Sequence, residues 1–461
     1  MLLGAVALFL LIRSYGGTLS APAPTTVAGP FSEAARSPAS HALLHVLLAL
    51  SAVVVTGRLL GRLLAWIGQP PVIGEVMGGI FLGPSLLGRF APDVSAYILP
   101  SSVAPYLSVV AQIGVILYMF LVGLDLSGQF LRRRAHAAVI TSHASIVTPF
   151  VLGAWLALLL YPRLSTSDVP FTSFALFMGV AMSITAFPVL ARILTDRGMS
   201  RTDLGAMALA CAAAGDMTAW CLLAFVVGVA QSSVSSALVP TLLTVCFVAV
   251  MYLVVRPLVG RLVARSRDRG PGQGAVAATL VGALLSALST EAMGVHAIFG
   301  AFLFGAVIPA ESRLAQTLRE KVEDLVTILL LPAFFAFTGM RTQIGLISGV
   351  RGWLICGLII LVATVGKFGG TLAAARLTGM GWREGASLGI LMNTRGLMEL
   401  IVLNIGLDMG IISPALFTMM VVMALVTTLA TTPILQLLHP ALQSSRVTLA
   451  QHHSAEGISS T

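Results

Sequence analysis

Residues 204–230 read LGAMALACAAAGDMTAWCLLAFVVGVA, and Asp216 is the only charged residue among them. About 20 apolar residues suffice to cross a bilayer as a helix, so this stretch is a membrane span. A carboxylate at membrane depth costs about 2.5–3.5 kcal/mol on the insertion scale. Such a group faces protein or a water-filled cavity, and by default it marks a path for protons or cations. Small residues, Ala212, Ala213, Ala214 and Gly215, lead up to the acid and leave room beside it.

The rest of the chain agrees with a membrane reading. Of 461 residues, 57% are hydrophobic and 10% charged, and mean hydropathy is +0.96. A soluble domain carries about 25% charged residues. The net charge of +9 lies in scattered short loops, which is a topology signal and not a nucleic-acid surface. Cys211, Cys221, Cys246 and Cys356 lie in apolar stretches without metal-ligand spacing and read as small buried hydrophobes. No nucleophile–base pair or metal-ligand cluster is apparent, so an enzyme is not expected.

Hydropathy predicts thirteen spans, at about 41–64, 70–88, 104–125, 137–161, 171–195, 204–230, 237–258, 275–290, 294–309, 323–340, 350–377, 384–407 and 411–438. Loops after the odd-numbered spans are basic, with Arg132, Arg133 and Arg134, then Arg197 and Arg201, then Arg261, Arg265, Arg267 and Arg269. Arg313, Arg319 and Lys321 follow, then Arg376 and Arg383. The intervening loops, such as 231–236 and 408–413, are poor in charge. The positive-inside rule then puts the C-terminus in the cytoplasm. Three regions are expected: an apolar segment and Pro/Ala-rich linker over 1–40, the transmembrane domain over 41–440, and a short polar tail over 441–461 with no regulatory domain. Residues 2–12 read either as a signal-like segment, an extra helix or a misassigned start.

Two parts of the chain resemble each other. GEVMGGIFLGPSLLG (74–88) in span two matches GVHAIFGAFLFGAVIP (294–309) in span nine, and MFLVGLDL (119–126) in span three matches FFAFTGMRT (334–342) in span ten. Each pair is seven spans apart. An odd offset places the copies upside down in the membrane, the inverted repeat of secondary transporters. On that symmetry MSITAFPVLARIL (182–194), with Ser183, Thr185 and Pro188, is the partner of LMNTRGLMELIV (391–402), with Asn393, Thr394, Arg395, Gly396 and Glu399. Pro and Gly interrupt both helices at membrane depth, where broken backbone is tolerated only against protein or a cavity. Two such breaks can aim half-helix dipoles and freed carbonyls at one midplane site.

Individual residues are read on that frame. Asp216 is expected to be the proton and cation site, or else one half of a structural salt bridge. Thr185 offers a hydroxyl and a carbonyl for a hard monovalent ion, or else a back-bond to its own helix. Lys367, within an apolar and glycine-rich segment, needs an acidic partner and is expected to pair with Asp216 when no cation is bound. Arg395 and Glu399, four apart on one helix, can satisfy each other as a support. Glu75 and Asp125 are expected at span ends, and His296 at a helix start is expected to be structural.

These motifs, taken in order with LLLPAFFAFTGMRT, GKFGG and MNTRGLMELIVLNIG, resemble the monovalent cation:proton antiporter-2 family. That family includes Kef-type potassium efflux systems and the plant cation/proton exchangers. The resemblance covers residues 41–440. It implies the sodium/proton antiporter fold, all-α, with two inverted repeats and two crossing discontinuous helices. It also implies a dimerisation domain with a mobile core, hence a homodimer. By resemblance Asp216 matches the family's ion-binding aspartate and Lys367 the basic residue opposite it. Gly215 departs from the pattern, since the family usually has Asn or Asp there.

The function expected is secondary active exchange of Na+ or K+ for H+ in the cell membrane, with proton and cation competing for Asp216. No cofactor is expected beyond the transported ions, and no partner beyond the bilayer and a second copy. The alternatives are an ion sensor without turnover, or an exporter of a larger substrate on the same fold.

Overall fold

Thirteen helical segments, α1–α13, several of them bent or broken, lie along the thirteen apolar intervals among the described residues. The architecture is that of a computed structural model, which describes residues 39–100, 103–125, 135–166, 169–199, 202–231, 238–265, 271–293 and 296–438. Residues 1–44 separate from His45–Thr461, and apart from the first turns of α1 everything below concerns the second part. The linker over 1–38, the tail after 438, Arg132–Arg134, Arg201, Arg267 and Arg269 lie outside the described residues, as do the side chains of Asp125, Pro188 and Cys221.

The first four spans are α1 (Ala39–Trp66), α2 (Pro71–Leu82), α3 (Ala104–Asp125) and α4 (Ala135–Leu164). The fifth is broken into α5a (Phe171–Ser183) and α5b (Phe187–Asp196), and α6 is Asp203–Gln231. α7 runs from Leu238–Val250 through a π turn, Met251–Val255, into Arg256–Arg265. α8 is Gln273–Ala292 and α9 is Ala297–Val307. α10 joins Arg313–Leu325 to Leu331–Arg341 across the π turn Val326–Leu330, and α11 joins Gly349–Thr364 to Gly370–Leu377 across Val365–Gly369. The twelfth is again broken, α12a (Trp382–Met392) and α12b (Leu397–Asp408), and α13 is Pro414–Leu438.

Among the described residues, nine helices are individually long and apolar enough to cross a membrane, and the α12 pair, bent by 43° at its break, makes a tenth. α5a and α9, with 13 and 11 residues, rise only about 1.5 Å per residue and fall short of the hydrocarbon thickness on their own. Two expectations need correction. Arg313, Arg319 and Lys321 do not sit in a loop but on the first segment of α10. Ala315, Leu318 and Val322 form its buried stripe, and Ser312 Oγ caps it by accepting from Ala315 N at 3.1 Å. Cys246, expected to be buried, is exposed on α7.

The repeat seen in the sequence governs the packing. α2 lies on α10, and its counterpart α9 lies on α3, the counterpart of α10. Glycine makes both contacts possible. A Cβ at Gly305 of α9 would stand 2.2 Å from Phe120 O, and one at Gly123 of α3 would stand 2.2 Å from Phe302 O. In the matching pair, a Cβ at Gly83 would be 2.7 Å from Gly339 O, and one at Gly339 only 2.0 Å from Gly79 C. The obstacle in each case is backbone, which cannot swing aside. Gly305→Val is therefore expected to force α3 and α9 apart and destabilise the fold by about 1–3 kcal/mol. A fall in the thermal unfolding midpoint in detergent checks this, with Gly260→Val, where nothing lies within 4 Å, as the comparison for valine's helix propensity.

The helices sort into two groups. α2, α3, α8, α9 and α10 pack on one another, and α4, α5, α6, α11, α12 and α13 form the second group. Polar bonds that join the groups stand at opposite ends. Arg341 pairs with Asp408 at 2.6 Å and donates to Asn404 Oδ1 at 3.1 Å, while Asn404 donates to Thr338 Oγ1 at 2.9 Å. At the other end Gln69 donates to Leu429 O at 3.1 Å and Arg197 to Gly68 O at 3.4 Å. The second group contains both broken helices and Asp216.

Candidate ion-binding site

The two breaks meet. Ala186 N, at the start of α5b, donates to Thr394 O at 2.9 Å, and Thr185 Oγ1 donates to Met392 O at 3.1 Å. Each extended segment thus takes hydrogen bonds that its own helix cannot supply. Thr394 Oγ1 turns back to Leu391 O at 2.7 Å. Thr428 of α13 holds the second break by accepting from Arg395 N at 2.8 Å and donating to Arg395 O at 2.5 Å. Val189 and Ala186 of the first break approach Gly396 so closely that a Cβ there would stand 2.7 Å from Val189 Cγ2.

The last carbonyls of α5a would be orphans at the break, and two cations take them. Arg395 donates from Nη1 to Ala181 O at 2.9 Å and from Nη2 to Met182 O at 2.6 Å. Lys367 Nζ donates to Ser183 O. Positive charge at a helix C-terminus is favoured by the dipole as well as by the free carbonyls. Ser183 itself is fixed through Oγ, which donates to Gly179 O at 2.7 Å and to Ile146 O of α4 at 3.0 Å. Pro188 is in the first turn of α5b, where its missing N–H costs nothing.

Arg395 and Glu399 pair at 2.7 Å with both side chains fully buried. Glu399 also lies in the first turn of α12b, where a negative charge faces the positive helix end. Lys367 occupies the π turn within α11. An extra residue in the turn re-aims side chains, and such bulges concentrate at functional positions. Here Gly366 and Gly370, whose Cβ atoms would meet Pro149 Cα at 2.9 Å and Thr148 Oγ1 at 2.6 Å, let α11 press against α4.

Asp216 is 4% exposed, midway along α6. Its Oδ2 is buried without a hydrogen-bond partner, as is Oδ1 of the neighbouring break residue Asn393. Lys367 and Asp216 act on each other through space, while the hydrogen bond of the ammonium goes to Ser183 O. The direct pairing expected from the sequence is thus replaced by a longer electrostatic one. One oxygen of the carboxylate is left without a hydrogen-bond partner. Thr185 retains its lone pairs, with its proton committed to Met392 O. A Cβ at Gly215 would find only ordinary contacts.

Some residues at the site escaped the sequence reading. Thr428, in the run TTLATT (427–432), and Ser142, in TSHAS (141–145), were legible only as polar residues within apolar spans. A cavity of about 790 Å³ opens between the two helical groups, lined among others by Gln112, Glu291, His296 and Asp408. Glu291 Oε2 accepts from Ala297 N at 2.7 Å and so fixes the start of α9.

Residues 48–438 match the family model for the transmembrane sodium/hydrogen exchanger. The chain belongs to the sodium/hydrogen exchanger family. It is 42% identical over 409 residues to Na(+)/H(+) antiporter NhaS4 of Synechocystis, covering 87% of this chain and 99% of that protein. It is 39% identical over 427 residues to Cation/H(+) antiporter 19 of Arabidopsis thaliana, covering 92% and 53%. With K(+)/H(+) antiporter 1 of Saccharomyces cerevisiae it shares 34% identity over 382 residues, covering 81% and 46%. This exchanger therefore spans nearly all of its cyanobacterial relative and about half the length of the plant and yeast ones. Its fold matches that of the sodium proton antiporter MjNhaP1 from Methanocaldococcus jannaschii, with a TM-score of 0.63 at 15% identity over 86% of this chain and 96% of the other.

Proposed function

We propose that the chain exchanges a monovalent cation, Na+ or K+, for protons across the cell membrane. The observation that carries this is the buried Asp216, with one carboxylate oxygen unpartnered, together with two broken helices that meet, the end carbonyls of the first being held by Lys367 and Arg395. A proton or a cation neutralises this carboxylate, but not both together, and that competition is the coupling. The relatives named as Na+/H+ and K+/H+ antiporters support the reading. Nothing in the comparisons supports a sensor without turnover or an exporter of larger cargo.

Four buried ionisable groups stand at the site, the acids Asp216 and Glu399 and the bases Lys367 and Arg395. Ionised together they cancel, so a bound proton and a bound monovalent cation leave the same single excess charge. Exchange is then one for one and electroneutral. The measurement is transport into proteoliposomes with an imposed membrane potential, where the rate is expected not to change with the voltage. A transport current that depends on pH would overturn it.

The basic loops support a cytoplasmic C-terminus, and on that orientation the cavity beside Glu291 and Asp408 opens to the outer side. The second helical group moves against the first as an elevator, the first forming a homodimer. The deciding experiment is dissipation of a pH gradient in proteoliposomes on adding Na+, K+, Li+ and a bulky organic cation in turn. Alkalinisation specific to one or two of the inorganic ions is expected. No response to any of them in well-folded protein contradicts the exchanger reading.

A further inference from the structure

α4 carries a buried hydroxyl that no motif announces. Ser142 is fully buried, and its Oγ has no hydrogen-bond partner in the protein. It faces Gly215, whose Cβ, if present, would stand 3.4 Å from Ser142 Oγ and 3.9 Å from Ile146 Cδ1. One turn along α4, Ile146 O accepts from Ser183 Oγ at 3.0 Å, and Ser183 O is the acceptor for Lys367. The hydroxyl thus stands in a run of contacts that passes from α4 to the first break and to α6 at the residue before Asp216. Ser145, on the same helix, differs: its Oγ donates to Ser142 O at 2.9 Å.

A buried hydroxyl is ordinarily hydrogen-bonded. Ser142 Oγ and Asp216 Oδ2 both lack a partner, and both are hard oxygen donors of the type that replaces an alkali ion's hydration shell. The missing side chain at Gly215 leaves the space between α4 and α6 open to them. We propose that Ser142 is a specificity-determining ligand, its Oγ supplying one oxygen to the monovalent cation held at Asp216, across the room left by Gly215. This rests on the exchanger reading above. That room suits the larger of the candidate ions, and filling it favours the smaller.

The test measures apparent KM for Na+ and K+ with the full chain in proteoliposomes, comparing native protein with Ser142→Ala, Ser142→Thr, Ser145→Ala and Gly215→Ala. Ser142→Ala is expected to raise the KM of the preferred ion about tenfold, the order of a lost bond to a charged group. Ser142→Thr restores it, and Ser145→Ala leaves the KM ratio of the two ions unchanged. Gly215→Ala, whose methyl meets only ordinary contacts, shifts the preference toward Na+. In cation-free buffer the unfolding midpoint of Ser142→Ala stays at the native value, because the hydroxyl has no protein bond to lose, while stabilisation by added cation shrinks. A native KM ratio in a transporting Ser142→Ala protein overturns the assignment. So does a lowered midpoint without a change in KM, which makes Ser142 structural. A native chain that moves no monovalent cation overturns the exchanger reading itself.

Discussion

Asp216→Asn is expected to reduce cation-driven proton movement to the level of empty liposomes while the protein still purifies folded. Asparagine keeps the shape of the side chain, so α6 packs as before. It can neither release a proton nor balance a cation. The charge count at the breaks then becomes one positive in excess with nothing bound, and a cation would raise it to two in a desolvated setting. Binding fails along with turnover, so the shift of the unfolding midpoint produced by Na+ or K+ in native protein disappears as well. Both readouts are needed. Loss of transport with retained cation stabilisation would make Asp216 part of the conformational machinery and leave the ion to other oxygens. In native protein the same competition makes the apparent KM for the cation increase as pH falls.

Arg395→Ala is expected to have the largest effect on stability of any single side-chain truncation at the site. The guanidinium bonds Ala181 O, Met182 O and Glu399, so its removal frees two carbonyls at the end of α5a and leaves a buried carboxylate alone. Breaking a buried pair from one side costs about 3–5 kcal/mol, most of it from the charge left behind. Glu399→Gln in the Arg395→Ala background therefore recovers part of the loss. Arg395→Lys falls between, because an ammonium cannot span two carbonyls and a carboxylate with a planar fork. Unfolding midpoints of native protein, Arg395→Ala, Glu399→Gln and the double variant in one detergent form the cycle, with Arg395→Lys measured beside them. Equal midpoints for native and Arg395→Ala would mean that the crossing of the two broken helices is held by Thr428 and the backbone bonds alone.

These residues mark how far the chain could be read before its structure. The apolar intervals were legible because a bilayer demands long apolar runs, whatever their neighbours. The two breaks were legible because Pro188 and Gly396 interrupt such runs beside polar residues, and backbone at membrane depth must be satisfied locally. Asp216 stood out because a charge there is costly enough to need a reason. The inverted repeat was visible in matching glycines, Gly83 with Gly305 and Gly123 with Gly339, since close helix contacts admit no other residue. Hydropathy, by contrast, took the first segment of α10 for a loop, because its charged face outweighs the stripe of Ala315, Leu318 and Val322.

Only the tertiary structure decided which atoms meet. Lys367 bonds Ser183 O from 184 residues away, and Arg395 reaches Ala181 and Met182 from 214 and 213 residues away. Thr428 and Ser142 came into the site only once α13 and α4 were packed around it. A membrane span records in its composition that it is buried, because the solvent imposes that on every residue. Which face it turns to which neighbour depends on helix rotation and crossing, and these follow from contacts between distant segments that no local pattern encodes.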